Sequence, residues 1–550
     1  MEPVTPSCIQ KLASTNPQTL ILGCALVLSL TVLPINVQAQ FTDLHDFNCN
    51  TDGCNAQYSG IVAQGRDGNL YGSLPAGGSN SLGTVYKKPL PSGTLSAIYP
   101  FATAKGAAPY SGLTLGKDGN FYGATTGDGA NSFGTLFKIT PTGTPTTLHD
   151  FTAAEEGGAF GPPVADRTGN TFYGVTSNGK AYSITPTMSF KLLPNPIPAG
   201  SRAPLVLASD GNFYGTAQTG GTGYGTVFRL TPSGTVNVIY TFDGTHGYYP
   251  YAPVIQGSDG FLYGTTYEGG SIANAFGVVF KLSTKGGAIT LLHQFDSTSA
   301  TDGYGPFGGL VEGPDGNLYG TTQVGAGAAP FGTIFKISKT GTGYKMLHAF
   351  DSTHGQSPET TPVLATNGII YGETYTGGSD IDGVFYSWKA GFAPFVSVVG
   401  FAAGTAGQIV EILGNGLTGT TSVKFGSSLA THTVVSDTYL TAVVPASGTT
   451  GKIVVSTPGG TLTSKQIFKV IPLISSFAPT SGPVGTKVTI TGSGFIGASK
   501  VTYAGTPATS FTVNSGTQIT ATVPSGAITG NIAVTTPGGT SSKATFTVTP

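Results

Sequence analysis

The chain has 550 residues, and its 25 Lys and Arg balance 26 Asp and Glu to a formal net charge of −1, enough length for roughly three or four domains. Charged residues are only 9% of the total, which excludes a duplex-binding surface built from clustered cations. Gly at 84 and Pro at 36 would suit a disordered chain, but 39% hydrophobic and 10% aromatic residues are too many for one that forms no core.

An apolar run from Leu20 to Leu33 (LILGCALVLSLTVL) opens the chain. It has signal-peptide length and falls short of the roughly 20 residues a membrane-spanning helix needs. Val37 and Ala39 place small residues at −3 and −1, so cleavage is predicted before Gln40. The mature chain is therefore predicted to be secreted or held at the cell surface, without a membrane span. Cys8 and Cys24 leave with the leader, and Cys49 and Cys54 remain in the word CNTDGC. In an oxidising compartment that spacing predicts a small loop disulfide. It is not CxxC, and His45 is the one nearby His, so no metal site and no cofactor are predicted.

A repeat follows. The word Asp67-Gly68-Asn69-Leu70-Tyr71-Gly72 returns around Tyr122, Tyr173, Tyr214, Tyr263, Tyr319 and Tyr371. Tyr71 to Tyr371 spans six intervals averaging 50 residues, the length of a propeller blade. Each unit reads as four strands. In one, Pro204–Ala208 meets an Asp-Gly turn, Asn212–Thr216 follows, then Gly225–Leu230, a Thr-Pro-Ser-Gly turn, and Val236–Phe242. A fourth-strand pattern at Leu44–Phe47 precedes the first unit, whereas the last unit ends at Trp388 without one. Pairing the two closes the array and removes sheet edges. The prediction is an all-β chain with a seven-bladed β-propeller over residues 40–391.

Beyond Pro394 the composition shifts to Thr, Ser, Val and Gly, and a 79-residue period appears. Val444-Pro445 answers Val523-Pro524, and Thr457–Gly460 answers Thr536–Gly539. Alternating short strands with turn signals predict two immunoglobulin-like β-sandwiches, residues 392–471 and 472–550. The seven Lys, absent Arg and lone acids Glu411 and Asp437 after residue 394 are poor material for base readout, so no nucleic-acid partner is expected.

Together the DGN-[LF]-YG, G-T-[VIL]-F-K and L-H-x-F words resemble the GloVer tandem repeat of bacterial secreted proteins. Ser475–Thr486 and Val488–Phe495 resemble the opening of an IPT/TIG domain, and residues near Gly404–Gly407 are a weaker copy. These resemblances imply a bacterial secreted or surface protein with no established activity for the repeat.

Chemical motifs are few. Gly174–Lys180 starts like a P-loop, but Ala181 replaces the Ser/Thr that would hold Mg²⁺. No GxSxG elbow and no HExxH helix occurs. The histidines of the L-H-x-F strands (His45, His149, His293, His348) interchange with Tyr99 and Tyr240, which reads as packing. The Asp-Gly-Asn words sit where hairpin turns are required. What remains is one face, where loops after the fourth strands and between second and third strands should meet. Candidate ligand-binding residues there are His246, Tyr248, Tyr249, Tyr267, Glu268, Asp302, Tyr304, His354 and Tyr375, with Asp243, Tyr251, Glu359, Asp380 and Asp382 beside them. Aromatic faces stack on sugars or peptides and carboxylates accept their hydrogen bonds. Three readings stay open: a binding or display protein for a glycan or surface protein, a structural matrix component, and a carbohydrate-active hydrolase or lyase drawing on Glu268, Asp302 and Glu359. The first is preferred, without catalytic residues.

Overall fold

The computed structural model describes residues 40–57, 60–155, 157–325 and 330–550. The signal-peptide reading, with Cys8 and Cys24, lies outside the described residues. Among these no helix is long and apolar enough to cross a membrane.

Seven four-stranded antiparallel sheets occupy the repeat region. Each runs in chain order from a two-residue strand outward, as in Val206–Leu207, Phe213–Ala217, Thr226–Leu230 and Val236–Thr241. The last sheet holds only three strands of its own, and Gln40–Asp46 completes it by pairing antiparallel with Val384–Lys389. The third unit forms its sheet with Lys180–Ile184 as third strand, although Lys180-Ala181-Tyr182 stands there in place of Thr-Val-Phe.

Packing follows from strand alternation. Successive side chains point to opposite faces, so Phe213 joins the cluster shared with the third sheet while Tyr214 joins the cluster shared with the fifth. Seven such apolar clusters lie between consecutive sheets, and one of them (Phe47, Tyr86, Tyr371, Phe385) joins the last sheet to the first. The series of sheets is thereby closed on itself. Burying each such aromatic contributes about 1.5–3 kcal/mol.

The repeat words have local causes. Gly215 stands opposite Phe228, whose ring lies over it, and a Cβ there would be 2.5 Å from Phe228 Cζ. Gly225, at φ +99°, lets the next loop approach so closely that a Cβ would stand 2.5 Å from Pro250 Cδ. In the Asp-Gly turns the repeat tyrosine donates to the turn aspartate: Tyr71 to Asp67 at 2.7 Å, Tyr122 to Asp118 at 2.9 Å, Tyr214 to Asp210 at 2.7 Å. Tyr263 and Tyr319 do the same to Asp259 and Asp315. Burial alone would raise Asp67, but hydrogen bonds from Tyr71, Lys87 and Asn69 hold it below the usual carboxylate range.

The histidines of the fourth strands are also structural. His149 stacks on Phe190 at 3.6 Å and His293 on Tyr344 at 3.8 Å, each across a sheet boundary. His45, His149 and His293 are held by a carboxylate from the following loop, Asp52, Glu155 and Asp302, at 2.9–3.0 Å.

Two further units follow, each a four-stranded and a five-stranded sheet with the same strand order. Their cores are separate, one around Ile412, Phe425 and Phe468 and one around Ile490, Tyr503 and Phe546. The first packs on the Asp-Gly turns of the repeat region. Arg66 grips Glu411 with Nη2 at 2.8 and 2.7 Å from the two oxygens and lies 5.0 Å from the centroid of the Tyr439 ring. Thr438 donates to the Arg66 carbonyl at 2.8 Å, Asn415 to Thr366 at 2.7 Å, and Lys465 to the Glu312 carbonyl at 2.7 Å. Arg167 sits over Phe401. A bidentate, partly buried guanidinium–carboxylate pair is among the stronger polar contacts. Arg66→Ala is therefore expected to loosen this junction by about 2 kcal/mol. Calorimetry should then resolve a separate, lower transition for the C-terminal units, and protease cleavage near residues 390–394 should accelerate.

Candidate functional site

The two loop families meet on one side of the sheets. Bridges pair the loop before each innermost strand with the loop between second and third strands: Ala107 with Gly127, Tyr248 with Glu268, Tyr304 with Val324, Gln356 with Thr376. In four of the repeats one residue fastens this arrangement. Ala108, Tyr249, Gly305 and Ser357 lie at φ +53° to +64°. Each donates its N–H to the preceding sheet's loop, at Leu82, Tyr224, Phe276 and Phe331, over 2.8–3.1 Å. Each carbonyl accepts from its own sheet's loop, from Thr126, Tyr267, Gln323 and Tyr375, over 3.0–3.3 Å. The left-handed conformation costs a bulky residue about 1–2 kcal/mol, so Tyr249 marks a place where a side chain is kept against that cost.

This fastening fixes two rows of side chains. The inner row stands four residues before each innermost strand: Tyr110, Phe160, Arg202, Tyr251, Phe307 and Glu359. The second row stands four residues after the repeat tyrosine and includes Gln218, Tyr267, Gln323 and Tyr375. Hydrogen bonds tie the rows together. Gln218 Nε2 donates to Tyr251 Oη at 2.7 Å, Tyr267 Oη to Gln323 Oε1 at 2.7 Å, and Gln323 Nε2 to Glu359 Oε1 at 2.6 Å.

Ring contacts join most of the predicted aromatics into one arc. Centroid distances are 5.7 Å for Tyr224–Tyr248, 4.8 Å for Tyr248–Tyr249, 6.3 Å for Tyr249–Tyr251 and 5.5 Å for Tyr251–Tyr267. Tyr251 stacks on Phe307 at 4.5 Å, and the arc continues from Tyr267 through Phe276 to Tyr304. Tyr248 donates to Glu268 Oε2, and that hydrogen bond, followed by burial, pushes the phenol up to about 12. A second aromatic patch, Tyr110 with Phe160 at 5.5 Å and Arg202 over Phe160 at 5.0 Å, lies on earlier sheets.

The other predicted residues are placed differently. His246 pairs with Asp243 at 2.8 Å and His354 with Asp351 at 2.9 Å, both exposed. Tyr375 is half-buried in the second row. Asp302 is 7% exposed and paired with His293 at 3.0 Å. Asp380 and Asp382 accept from Asn48 Nδ2 and the Cys49 N–H at 2.9 and 2.7 Å. They anchor the loop closed by the Cys49–Cys54 disulfide, S–S 2.01 Å. With both sulfurs bonded to each other, the grouping of Cys49, Cys54 and Asp382 is not a thiolate metal site. Sequence reasoning missed Tyr110, Phe160, Arg202, Phe307, Gln218 and Gln323. Aligning the repeats on their innermost strands is the signal that would have found the inner row.

Charge is segregated. The loops of this side carry ten carboxylates, from Asp52 to Asp382, against two cations, Lys105 and Arg202, among the described residues. Lysines gather on the turn side instead, where Lys87 and Lys281 meet Asp67 and Asp259 at 2.9 and 3.0 Å. The turn side is also where the first C-terminal unit packs. A cavity of about 230 Å³ remains there, lined by Gln64, Leu115, Val363 and Thr366 of the repeat region and by Val398 and Leu413 of that unit.

The family model of the Gloeobacter/Verrucomicrobia repeat matches residues 31–188 and 182–386, and that of the IPT/TIG domain matches residues 394–469 and 472–548. No curated protein matches the chain. Among solved structures, virginiamycin B lyase from Staphylococcus aureus is 15% identical with a TM-score of 0.42, covering 64% of this chain and 98% of its own. SGBP-B from a xyloglucan utilization locus in Bacteroides uniformis is 23% identical with a TM-score of 0.16, covering 28% of this chain and 48% of its own.

Two carboxyl groups near the loop side are withdrawn from water. Burial pushes Glu359 up to about 7, against the lowering hydrogen bond from Gln323. Burial does the same to Glu373, which is 2% exposed and accepts from Tyr86 Oη at 2.5 Å across the boundary between last and first sheets. Between the ordinary Glu value of 4.5 and about 7, the folded chain holds protons that the unfolded chain has released. Stability therefore falls as pH rises through that window, by up to about 1.4 kcal/mol per pH unit per group, and levels off above it. Melting temperature is expected to rise from pH 7.5 to pH 5, and Glu373→Gln, which keeps a neutral partner for Tyr86, should flatten that rise. An unchanged slope in the variant would assign the effect elsewhere.

Proposed function

The chain belongs to the Gloeobacter/Verrucomicrobia repeat family and carries two IPT/TIG domains, and from there we propose that it is an exported binding and display protein. The repeats and IPT/TIG domains fit an extracellular role. In this reading the seven closed sheets are the blades of a β-propeller, the loop side engages a glycan or a surface protein, and the IPT/TIG pair is a stalk or adhesive module. Export by the apolar leader, with cleavage before Gln40, belongs to the same proposal.

One observation carries it: the aromatic arc from Tyr224 to Tyr304, with Glu268, Gln218 and Gln323 along it. Ring faces offer stacking area at low conformational cost, and the amides and carboxylate supply directional hydrogen bonds. The reading is of a binder and not of an enzyme. Of three carboxylates suited to glycoside hydrolysis, Asp302 is committed to His293, and Glu359 is buried and bonded to Gln323. Glu268 holds Tyr248. A hydrolase needs two of them facing one bond.

The test titrates the exported chain against bacterial and plant polysaccharides and assays the same wells for released sugars. Saturable binding without products is expected. Tyr248→Ala and Tyr267→Ala should each weaken it on the order of tenfold, as loss of about 1 kcal/mol or more of ring contact would. Released oligosaccharides would replace the reading with an enzymatic one, and binding untouched by both variants would move the site off this face.

A further inference from the structure

We infer that the inner row is a binding site for the free end of an uncharged glycan chain, an inference that rests on the loop side being the ligand face. Three independent observations lead there.

The first is composition. Six sheets each send one side chain to the same position, and four of these are aromatic, in two contacting pairs: Tyr110 with Phe160, and Tyr251 with Phe307. Between and beside the pairs stand Arg202 and Glu359, the latter held by Gln323. Phe307 and Glu359 are buried, and the partly exposed rings of Tyr110, Phe160 and Tyr251, with fixed donors and acceptors beside them, match a pyranose, which presents apolar C–H faces and a rim of hydroxyls.

The second is charge. A ligand approaching this row passes ten carboxylates and two cations. A uronic-acid polymer or a phosphate-bearing glycan would meet a surface on which carboxylates outnumber cations, with Arg202 the one cation in the row itself, and like-charge juxtaposition disfavours such a partner. An uncharged chain meets no such barrier.

The third is closure at the far side. The innermost strands surround the axis of the closed sheets, and on the turn side residues of those strands (Gln64, Leu115, Val363) face the first IPT/TIG domain across the 230 Å³ cavity. That domain is held there by Arg66–Glu411 and Lys465. On the turn side the ends of these strands therefore face the domain and not open solvent, which leaves the loop side as the exposed end of the row. The arc then holds the sugars that follow, along the loop face, while the inner row reads the terminus.

Stoichiometry tests this. The full exported chain is first screened on an array of uncharged and acidic oligosaccharides, and the bound class is then supplied as soluble polymers of defined length. End recognition predicts one protein per chain at every length, so binding capacity per unit mass falls in inverse proportion to length. Phe160→Ala and Arg202→Ala lie off the arc, and each should lower affinity on the order of tenfold. Thermal melts confirm that the variants fold, and Arg202, only half-buried, is the safer of the two. Capacity per unit mass that stays constant with length would overturn the inference, as would preferred retention of acidic glycans. Loss of binding in Tyr248→Ala but in neither inner-row variant would overturn it and leave the loop-face reading standing. Retention of no glycan at all would overturn both and point to a protein partner.

Discussion

The loop side depends on one left-handed residue, used in four of the repeats. At Ala108, Tyr249, Gly305 and Ser357 the backbone turns left-handed, so that its N–H reaches the previous sheet and its carbonyl its own. Two hydrogen bonds, each worth about 1 kcal/mol net, thus join neighbouring sheets at the point where their apolar clusters end. Without them the loops would keep bridges such as Tyr248 with Glu268 but lose these ties to the sheet before. Side chains of the inner row are positioned by backbone, which leaves their identities free to vary. That freedom is visible within the one chain: the inner-row position holds Tyr, Phe, Arg and Glu, whereas the neighbouring Gly-Thr-Val-Phe positions hardly change.

The same freedom explains the distribution of acids. An aspartate in an Asp-Gly turn receives its own tyrosine, a backbone N–H and in two sheets a lysine, and is held ionised. A carboxylate on the loop side receives a histidine, a tyrosine or a glutamine, and where burial dominates it is pushed toward neutrality, as at Glu359 and Glu373. A net charge of −1 therefore conceals two opposite surfaces. Overall balance says little about a partner when the repeat sorts charge by side.

Much of the architecture was readable because each word has a mechanical cause that repeats. Tyr-Gly needs the glycine beneath Phe228 and its equivalents, Asp-Gly needs the turn, and the missing fourth strand of the last unit needs Gln40–Asp46. The aromatic arc was readable where aromatic residues interrupt a Gly-rich loop, as at Tyr248, Tyr249 and Tyr267. Asp302 misled for a definite reason: its partner His293 lies in the preceding strand, nine residues back, and pattern alone did not connect a strand histidine with a loop acid. The inner row was illegible because nothing about it is constant except position. Its residues share no chemistry that a motif could capture, and only the sheet register brings them side by side.

The first IPT/TIG domain adds a constraint that neither repeat contains alone. Its grip on the turn side uses Arg66, which follows the innermost strand of the first sheet, and Thr366, its counterpart beside the last. These two sheets are the ones joined by the strand Gln40–Asp46, which pairs into the last sheet and leads into the first. The domain therefore bridges the seam where the closed series has its weakest covalent continuity, while Glu373 and Tyr86 bridge it from within. Stiffening the last sheet from the turn side serves the loop side, because Glu359 of the inner row stands on that sheet. A fixed row, open on one side only, is what distinguishes reading the end of a chain from holding its middle.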